Sequence, residues 1–185
     1  MREETDPDKL REYAEKMGDT VNSANHLLES ILNFSRSESA GTELKPEEIS
    51  VRSVIDIAVE SRMNFFDAYD INVTTRGDDI KIKTDKRLFE QAIENLISNC
   101  ADHSENKTEV DILISKNTIE FTNVSDHKID NVDELKKPFV KGSGSRGASG
   151  TGLGLAIVEN DLGRLGFKLR LKYVEPKFTA TVVLK

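Results

Sequence analysis

The residues best suited to chemistry lie in a glycine-rich stretch near the end of the chain. Six of the 11 glycines fall within residues 142–154, and an apolar pattern typical of a helix start follows from Leu153 to Val158. Glycine-rich backbone leading into a helix N-terminus offers N–H groups and a positive dipole end to a phosphate. Positive charge is supplied by Lys136, Lys137, Lys141 and Arg146. A flexible linker is the alternative, but a linker has no need of an adjoining apolar helix, so phosphate binding is favoured.

The kind of phosphate loop is a separate question. The Walker pattern is absent, because no glycine is followed by Lys and then Ser or Thr. The run from Gly142 to Gly147 matches the dinucleotide fingerprint G-x-G-x-x-G. However, residues 131–138 before it do not read as a buried strand, and Glu175 follows Gly147 by 28 residues rather than about 20. Dinucleotide binding is therefore the weaker alternative.

A second group of polar residues lies on a helix upstream of this loop. Asn95, Asn99 and His103 are spaced four residues apart beside an apolar stripe, which puts all three on one helix face. Taken alone, they read as the solvated face of an amphipathic helix. Together with a phosphate loop they indicate the edge of a site for a divalent ion and phosphates, since amide oxygens bind Mg²⁺ together with phosphate oxygens and water.

Composition limits the function classes. The 185 residues, 20.7 kDa, suit one domain with an appended element. The net charge of −7 argues against nucleic acid as a partner. The single cysteine, Cys100, excludes an internal disulfide and predicts a reducing compartment. No apolar run approaches 18 residues and no signal peptide is recognised, so we expect a cytoplasmic location.

Residues 1–40 are predicted to form one long helix with a heptad seam. The seam residues are Leu10, Ala14, Met17, Val21, Ala24, Leu28 and Ile31. One amphipathic helix cannot bury this seam alone, so we expect it to belong to an intermolecular or truncated bundle. Packing on the chain's own globular domain is the alternative. Residues 41–47 are predicted to be a linker.

Residues 48–185 read as a separate α/β domain, an α+β sandwich whose mixed sheet has its helices on one face. We predict helices over 51–69, 85–103 and 153–165. We predict strand pairs 71–75 with 80–83, 110–114 with 118–122, and 168–174 with 178–184.

The order of these motifs resembles the catalytic and ATP-binding domain of bacterial sensor histidine kinases, in the GHKL (Bergerat-fold) ATPase superfamily. Residues 95–104 look like the N box, preceded by Asp85 as in the family. Pro138-Phe139 looks like the F box, and residues 150–158 look like the G2 box, the most specific match. Residues 31–38 look like the end of the second helix of the dimerisation and phosphoacceptor hairpin.

The resemblance implies ATP and Mg²⁺ as cofactors. It makes Asn99 the Mg²⁺ ligand, with Asn95 assisting, and gives phosphate contacts to His103, Lys141 and Arg146 under a lid over about 140–150. The remaining implied ATP-binding residues are Asn123, Phe139, Gly150, Thr151, Gly152, Leu153, Gly154 and Leu155. Hydrolysing members of the superfamily carry Glu where Asn95 stands, and an amide cannot activate water, which suits transfer to a protein.

The sequence departs from the family pattern at three places. The G1 box, an Asp and two glycines, corresponds here to residues 122–129, which contain no glycine and have Asn123 at the Asp position. An Asn oxygen can still accept the adenine amino hydrogen bond, without charge assistance. Asp102 replaces a residue that is usually basic, which predicts modest affinity. None of the three histidines has the acidic neighbour and proline of a phosphoacceptor, so no catalytic residue is assigned.

We therefore expect a fragment that presents the ATP γ-phosphoryl to a histidine on a hairpin largely outside this chain. The implied partners are that hairpin, a response regulator and, in the full-length protein, a second copy. The parent protein would be cytoplasmic or the cytoplasmic part of a membrane-bound kinase. The alternatives are a nucleotide-gated protein-binding module and a serine kinase of the anti-sigma type.

Overall fold

The computed structural model describes residues 43–125, 127–140 and 151–184, together with isolated positions between 13 and 35. The predicted seam residues Leu10, Ala14 and Ala24 lie outside the described residues, as do Lys141, Arg146, Gly150 and the run from Gly142 to Gly147. At the isolated positions the backbone is helical. The large apolar side chains described there are exposed: Tyr13, Met17, Val21, Leu28, Ile31 and Leu32.

Along the domain, single strands or consecutive strand pairs are separated by helices. The strands are β1 (Pro46–Ser50), β2 (Asn72–Arg76), β3 (Lys81–Asp85), β4 (Glu109–Ile114), β5 (Thr118–Val124), β6 (Lys168–Val174) and β7 (Lys177–Val183). The helices are α1 (Val51–Ser61), α2 (Met63–Ala68), α3 (Lys86–His103) and α4 (Gly154–Leu165), with a short 3₁₀ helix at Asp133–Lys136.

The main sheet has the strand order β2-β4-β5-β7-β6. Strands β2 and β4 are parallel, and the other neighbouring pairs are antiparallel. The register places Ile112 beside Phe121 and Phe121 beside Ala180, and all three are buried. Residues between them along each strand point to the opposite face, which carries Asp111 and Thr179. This mixed sheet excludes the doubly wound parallel fold of the dinucleotide alternative.

Helices α3 and α4 cover the buried face of the sheet, which confirms the predicted layering. Phe89, Ile93 and Leu96 of α3 are fully buried, and Phe89 contacts Phe167 edge-on, with 6.3 Å between the ring centroids. Cys100 is buried on the same helix, and burial raises the pKa of its thiol to about 12. The thiol is therefore a core group that is not nucleophilic at neutral pH.

The start of α3 is fixed by Asp85. Its side chain accepts hydrogen bonds from the backbone N–H of Leu88, at 3.1 Å, and of Lys45, at 2.9 Å. Burial alone would raise the pKa of Asp85, but these two donors, together with the charges of Arg87 and Arg164, outweigh it and lower the pKa. The carboxylate thus caps the helix and ties it to the chain entering the domain.

The predicted pairing of residues 71–75 with 80–83 is wrong. Strand β2 pairs with β4, whereas β3 pairs with β1 in a separate two-stranded sheet. Strand β1 begins at Pro46, within the stretch predicted to be linker. The turn at residues 77–79, which resembles a hairpin turn in the sequence, is bonded to the start of α1 instead. Asp79 accepts from the Arg52 backbone N–H at 3.0 Å and from the Ser50 hydroxyl at 2.8 Å. The single helix predicted over 51–69 is divided at Arg62.

Candidate functional site

The polar face of α3 forms one side of the candidate site. Asn95, Asn99 and His103 are all half-buried on this helix, as the spacing predicts. The Asn95 Nδ2 donates to the backbone oxygen of Gln91 at 2.8 Å, which leaves Oδ1 facing α4. A Cβ added to Gly154 would lie 3.4 Å from that oxygen. This is an ordinary van der Waals distance, so the Asn95 oxygen lies beside the start of α4 and the two predicted motifs meet there.

Asn123 connects the central strand to the end of this helix. It is only 3% exposed, and its Nδ2 donates to the backbone oxygens of His103, at 3.3 Å, and Val124, at 3.4 Å. These contacts turn the side-chain oxygen away from both carbonyls. An amide held this way presents its oxygen as an acceptor and cannot flip to present its NH₂ group as a donor.

The acidic residue that departs from the family pattern is tied to its own helix. The Ser98 hydroxyl donates to Asp102 Oδ2 at 3.3 Å, one turn along α3. Asp102 is half-buried, so its negative charge stays close to the face that carries Asn99. This position is consistent with the predicted cost to anion affinity.

The opposite side of the site rests on a backbone contact between Phe139 and Gly152. The Phe139 N–H donates to the Gly152 oxygen at 2.9 Å, and both residues have positive φ, 64° and 68°. A Cβ added to Gly152 would lie 2.8 Å from the Phe139 carbonyl carbon and 2.9 Å from the Val140 oxygen. Only glycine fits there. We call this contact the clasp; it joins the two ends of the predicted lid. No sequence pattern indicated that Phe139 would adopt this conformation.

The first residues of α4 divide between core and site. Leu153 is fully buried and Leu155 nearly so, so any phosphate contact they make is through backbone N–H groups. The Leu153 N–H already donates to Thr151 Oγ1 at 3.2 Å. Gly154 contributes backbone at the helix N-terminus, where the dipole favours an anion.

Two of the basic residues expected to supply positive charge are engaged elsewhere. Lys136 Nζ donates to the Leu169 backbone oxygen at 2.8 Å and pairs with Glu159 at 3.5 Å. Lys137 pairs with Glu134 at 3.2 Å. Their positive charges are thus partly neutralised by the domain itself, while Lys141 and Arg146 lie outside the described residues.

The side chains present are compatible with Mg²⁺. Among the described residues no group of three His, Cys, Asp or Glu side chains could hold a metal. Mg²⁺ needs no such group, because it takes one or two protein oxygens and completes its shell with phosphates and water. The amide oxygen of Asn99, on the same face as Asn95, is a ligand of the right type.

A two-layer α/β domain that sets an amide side chain beside a glycine at a helix start has the arrangement that a nucleotide-phosphate site requires. A family model, "Histidine kinase-, DNA gyrase B-, and HSP90-like ATPase", matches residues 84–185. The chain therefore belongs to this ATPase family. The match begins at β3 and includes α3, the clasp and α4.

Individual relatives agree with this membership. The sensor-like histidine kinase SenX3 of Mycolicibacterium smegmatis is 32% identical over 164 residues, 84% of this chain and 42% of the relative. The histidine kinase AdeS of Acinetobacter baumannii has a similar structure, with a TM-score of 0.73 at 20% identity over 92% of this chain and 82% of that one. Histidine kinase ThkA, solved in complex with the response regulator protein TrrA, gives a TM-score of 0.69 at 15% identity over 97% of this chain and 53% of that one.

This chain spans less than half of the length of the first curated relatives it matches. Across the part of the chain that the structure describes, no helix combines the length and apolar character needed to cross a membrane.

Proposed function

We propose that this chain is the ATP-binding catalytic domain of a sensor histidine kinase. It binds ATP with Mg²⁺ and presents the γ-phosphoryl to a histidine on a helical hairpin of the same kind of protein, for transfer onward to a response regulator. The close approach of Gly154 to the Asn95 side chain carries this proposal. It sets the Asn95 amide oxygen of one helix against the N-terminus of another, which is where a polyphosphate and its cation can be held together.

The residues of α3 bind and orient the phosphates. Asn99 is the Mg²⁺ ligand and Asn95 assists it, while His103 contacts a phosphate oxygen at the end of the helix. Bound Mg²⁺ neutralises charge on the phosphates. Phosphoryl transfer asks the protein for positioning and charge stabilisation, so the site needs no nucleophile of its own. The Asn95 Nδ2 is committed to the Gln91 carbonyl, and an amide is not a base, which favours transfer over hydrolysis.

Asn123 is proposed to accept from the exocyclic amino group of adenine. Its Nδ2 is occupied by the His103 and Val124 carbonyls, so the free side of the amide is the acceptor. The lost charge assistance of an Asp lowers the affinity relative to a carboxylate. Thr151, Gly152 and the N-terminal backbone of α4 would hold the triphosphate, with Phe139 supporting the lid through the clasp.

The proposed partners follow from the exposed seam. Met17, Val21 and Leu28 are helical and more than half exposed in the single chain, and burial of each contributes roughly 1.5–3 kcal/mol. They are expected to pack in a helical bundle with a second copy. We propose a cytoplasmic location, since the domain has a buried free thiol and no disulfide among the described residues.

A titration with a non-hydrolysable ATP analogue, with and without Mg²⁺, tests the proposal. The wild-type chain is expected to bind more tightly with Mg²⁺, and Asn99→Ala is expected to lose that gain. Asn64→Ala is the matched control, because Asn64 is also helical but exposed on α2. An equal Mg²⁺ effect in the Asn99→Ala chain would contradict the metal assignment.

A transfer assay separates the kinase from a nucleotide-gated binding module. Incubated alone with labelled ATP, this chain is expected to stay unlabelled. Mixed with an intact acceptor hairpin, it is expected to label the hairpin histidine. Binding without any transfer would favour the binding module, and label on a serine would favour the anti-sigma type of kinase.

A further inference from the structure

A buried carboxylate on α4 plays no part in the site described above. Asp161 is fully buried, and neither of its side-chain oxygens has a hydrogen-bond partner. Its neighbours on the same helix face include Val158 and Leu165, which are buried and apolar. Buried polar groups in proteins are almost always hydrogen-bonded, so an exception calls for a physical reason.

The antiparallel packing of α3 against α4 shows where this carboxylate lies. At one end of the interface Asn95 is against Gly154. At the other end, the charge of Arg87 acts on Asp161, and the charge of Arg164 acts on Asp85. The nucleotide site and Asp161 are therefore at two ends of one helix pair, about two turns apart.

An unsatisfied amide lies between the two ends. Gln91 is four residues from both Arg87 and Asn95, so it shares the α3 face that meets α4. Its side-chain nitrogen, Nε2, is buried and has no hydrogen-bond partner. Neither this nitrogen nor the two Asp161 oxygens finds a partner in the helix interface, so the interface as packed offers no hydrogen-bond donor to an ionised Asp161.

The surroundings of Asp161 favour its neutral form. Burial is the largest influence and raises its pKa to about 6, while the positive charges of Arg164 and Arg87 oppose the shift without cancelling it. These two arginines, one from each helix, are the charged groups that act on it among the described residues. Asp85, at the start of α3, faces Arg164 and so weakens that opposition.

We propose that Asp161, in its neutral form, is a positioning residue that holds α4 against α3, and that its ionisation weakens nucleotide binding at Gly154. The inference rests on the proposed function. Ionisation leaves a buried charge without a hydrogen-bond donor, which destabilises the packing of α4 against α3. Because α4 is a rigid element, a change in this packing alters the approach of Gly154 to Asn95. By linkage, a nucleotide that binds only when the two helices are packed must in turn raise the proton affinity of Asp161.

The test compares pH profiles of nucleotide affinity. The ATP analogue with Mg²⁺ is titrated into wild type, Asp161→Asn and the control Asp56→Asn, which changes an exposed aspartate on α1. From about pH 5.5 to about pH 8, the wild-type and control affinities are expected to fall about fivefold more than that of Asp161→Asn, the low end of typical coupling between sites. Titration of the phosphates of the analogue contributes equally to all three chains.

The outcomes are distinct. At the higher pH, Asp161→Asn is expected to bind more tightly than wild type, which a purely structural role would not produce. Parallel profiles in all three chains would overturn this inference and leave the proposed function standing. No binding by any chain at any pH would overturn the proposed function and, with it, the coupling.

A second measurement does not depend on the variant folding. The carboxyl carbon of Asp161 can be followed by ¹³C NMR in the wild-type chain, with and without the analogue. We expect its titration near 6 in the free chain and an upward shift on binding. A midpoint near the ordinary aspartate value of about 3.9 would overturn the inference.

Discussion

The α3 and β5 side of the site is held by side-chain hydrogen bonds within and between regular elements, whereas the opposite side is held by backbone geometry. On the first side, Asn95 and Asn123 each donate to a main-chain oxygen of a helix. On the second side, the clasp depends on two left-handed residues and one backbone hydrogen bond. The residues of the first side belong to the folded core, whereas the clasp joins the two ends of a loop.

This difference teaches where mutations should act. Changes on the α3 and β5 side should lower the free energy of unfolding, because their contacts are buried within the fold. Changes at the clasp should lower nucleotide affinity more than stability, because a loop can relax without unfolding the domain. The following predictions test that division, from the largest expected effect to the smallest.

Gly152→Ala is expected to reduce affinity for the ATP analogue at least about tenfold. A left-handed conformation costs a non-glycine residue roughly 1–2 kcal/mol, and the new Cβ would also lie 2.8 Å from the Phe139 carbonyl carbon. Calorimetric titration measures the loss. Gly163→Ala is the control, because a Cβ there meets nothing within 4 Å on the same α4 helix. The control should keep its affinity and gain about 0.5–1 kcal/mol of stability. Equal affinities in the two variants would show that the clasp does not shape the site.

Asn123→Asp is expected to destabilise the domain by about 1–3 kcal/mol, although the family pattern has Asp at this position. The change removes the N–H donors of the His103 and Val124 oxygens and puts a carboxylate beside them. Chemical denaturation measures the difference. Asn64→Asp, an exposed position on α2, is the control and should change stability by less than about 0.5 kcal/mol. Unaltered stability of Asn123→Asp would mean that the amide nitrogen is not needed.

Asp85→Ala is expected to cost about 1–2 kcal/mol of stability through loss of the α3 cap. The folded pKa of Asp85 is lowered, so its contribution is present above the unfolded pKa of about 3.9 and is lost as the pH falls through the folded value. Denaturation curves at neutral and acidic pH should therefore show a gap between wild type and variant that closes in acid. Asp85→Ser, which keeps an acceptor, should recover most of the loss. A gap independent of pH would contradict the role of the carboxylate.

Much of this fold could be predicted from local pattern. The apolar spacing of α3 predicted its position, and the alternation of Val110 to Ile114 and of Ile119 to Phe121 predicted an antiparallel pair. Helix and strand periods are properties of neighbouring residues, so they can be read locally. The motif order also indicated the ATPase family before the sheet was known.

The pairing of β2 and β3 could not be read in this way. Both strands alternate, and the glycine turn between them resembles a hairpin, but pairing depends on which edges remain available in the whole sheet. Strand β1 lacked an apolar run, since Ile49 is its one buried residue. Its structure depends on β3 as a partner.

The sequence by itself determined the residue types of the candidate site: amides at helical spacing, a glycine-rich helix start and an Asn at the proposed adenine position. Tertiary structure decided how these residues are used. It directed the Asn123 nitrogen to two carbonyls, required glycine at position 152 because of the Phe139 backbone, and buried Asp161 without a hydrogen-bond partner. Each of these depends on groups distant along the chain, and such contacts form only when the helices and the sheet pack together.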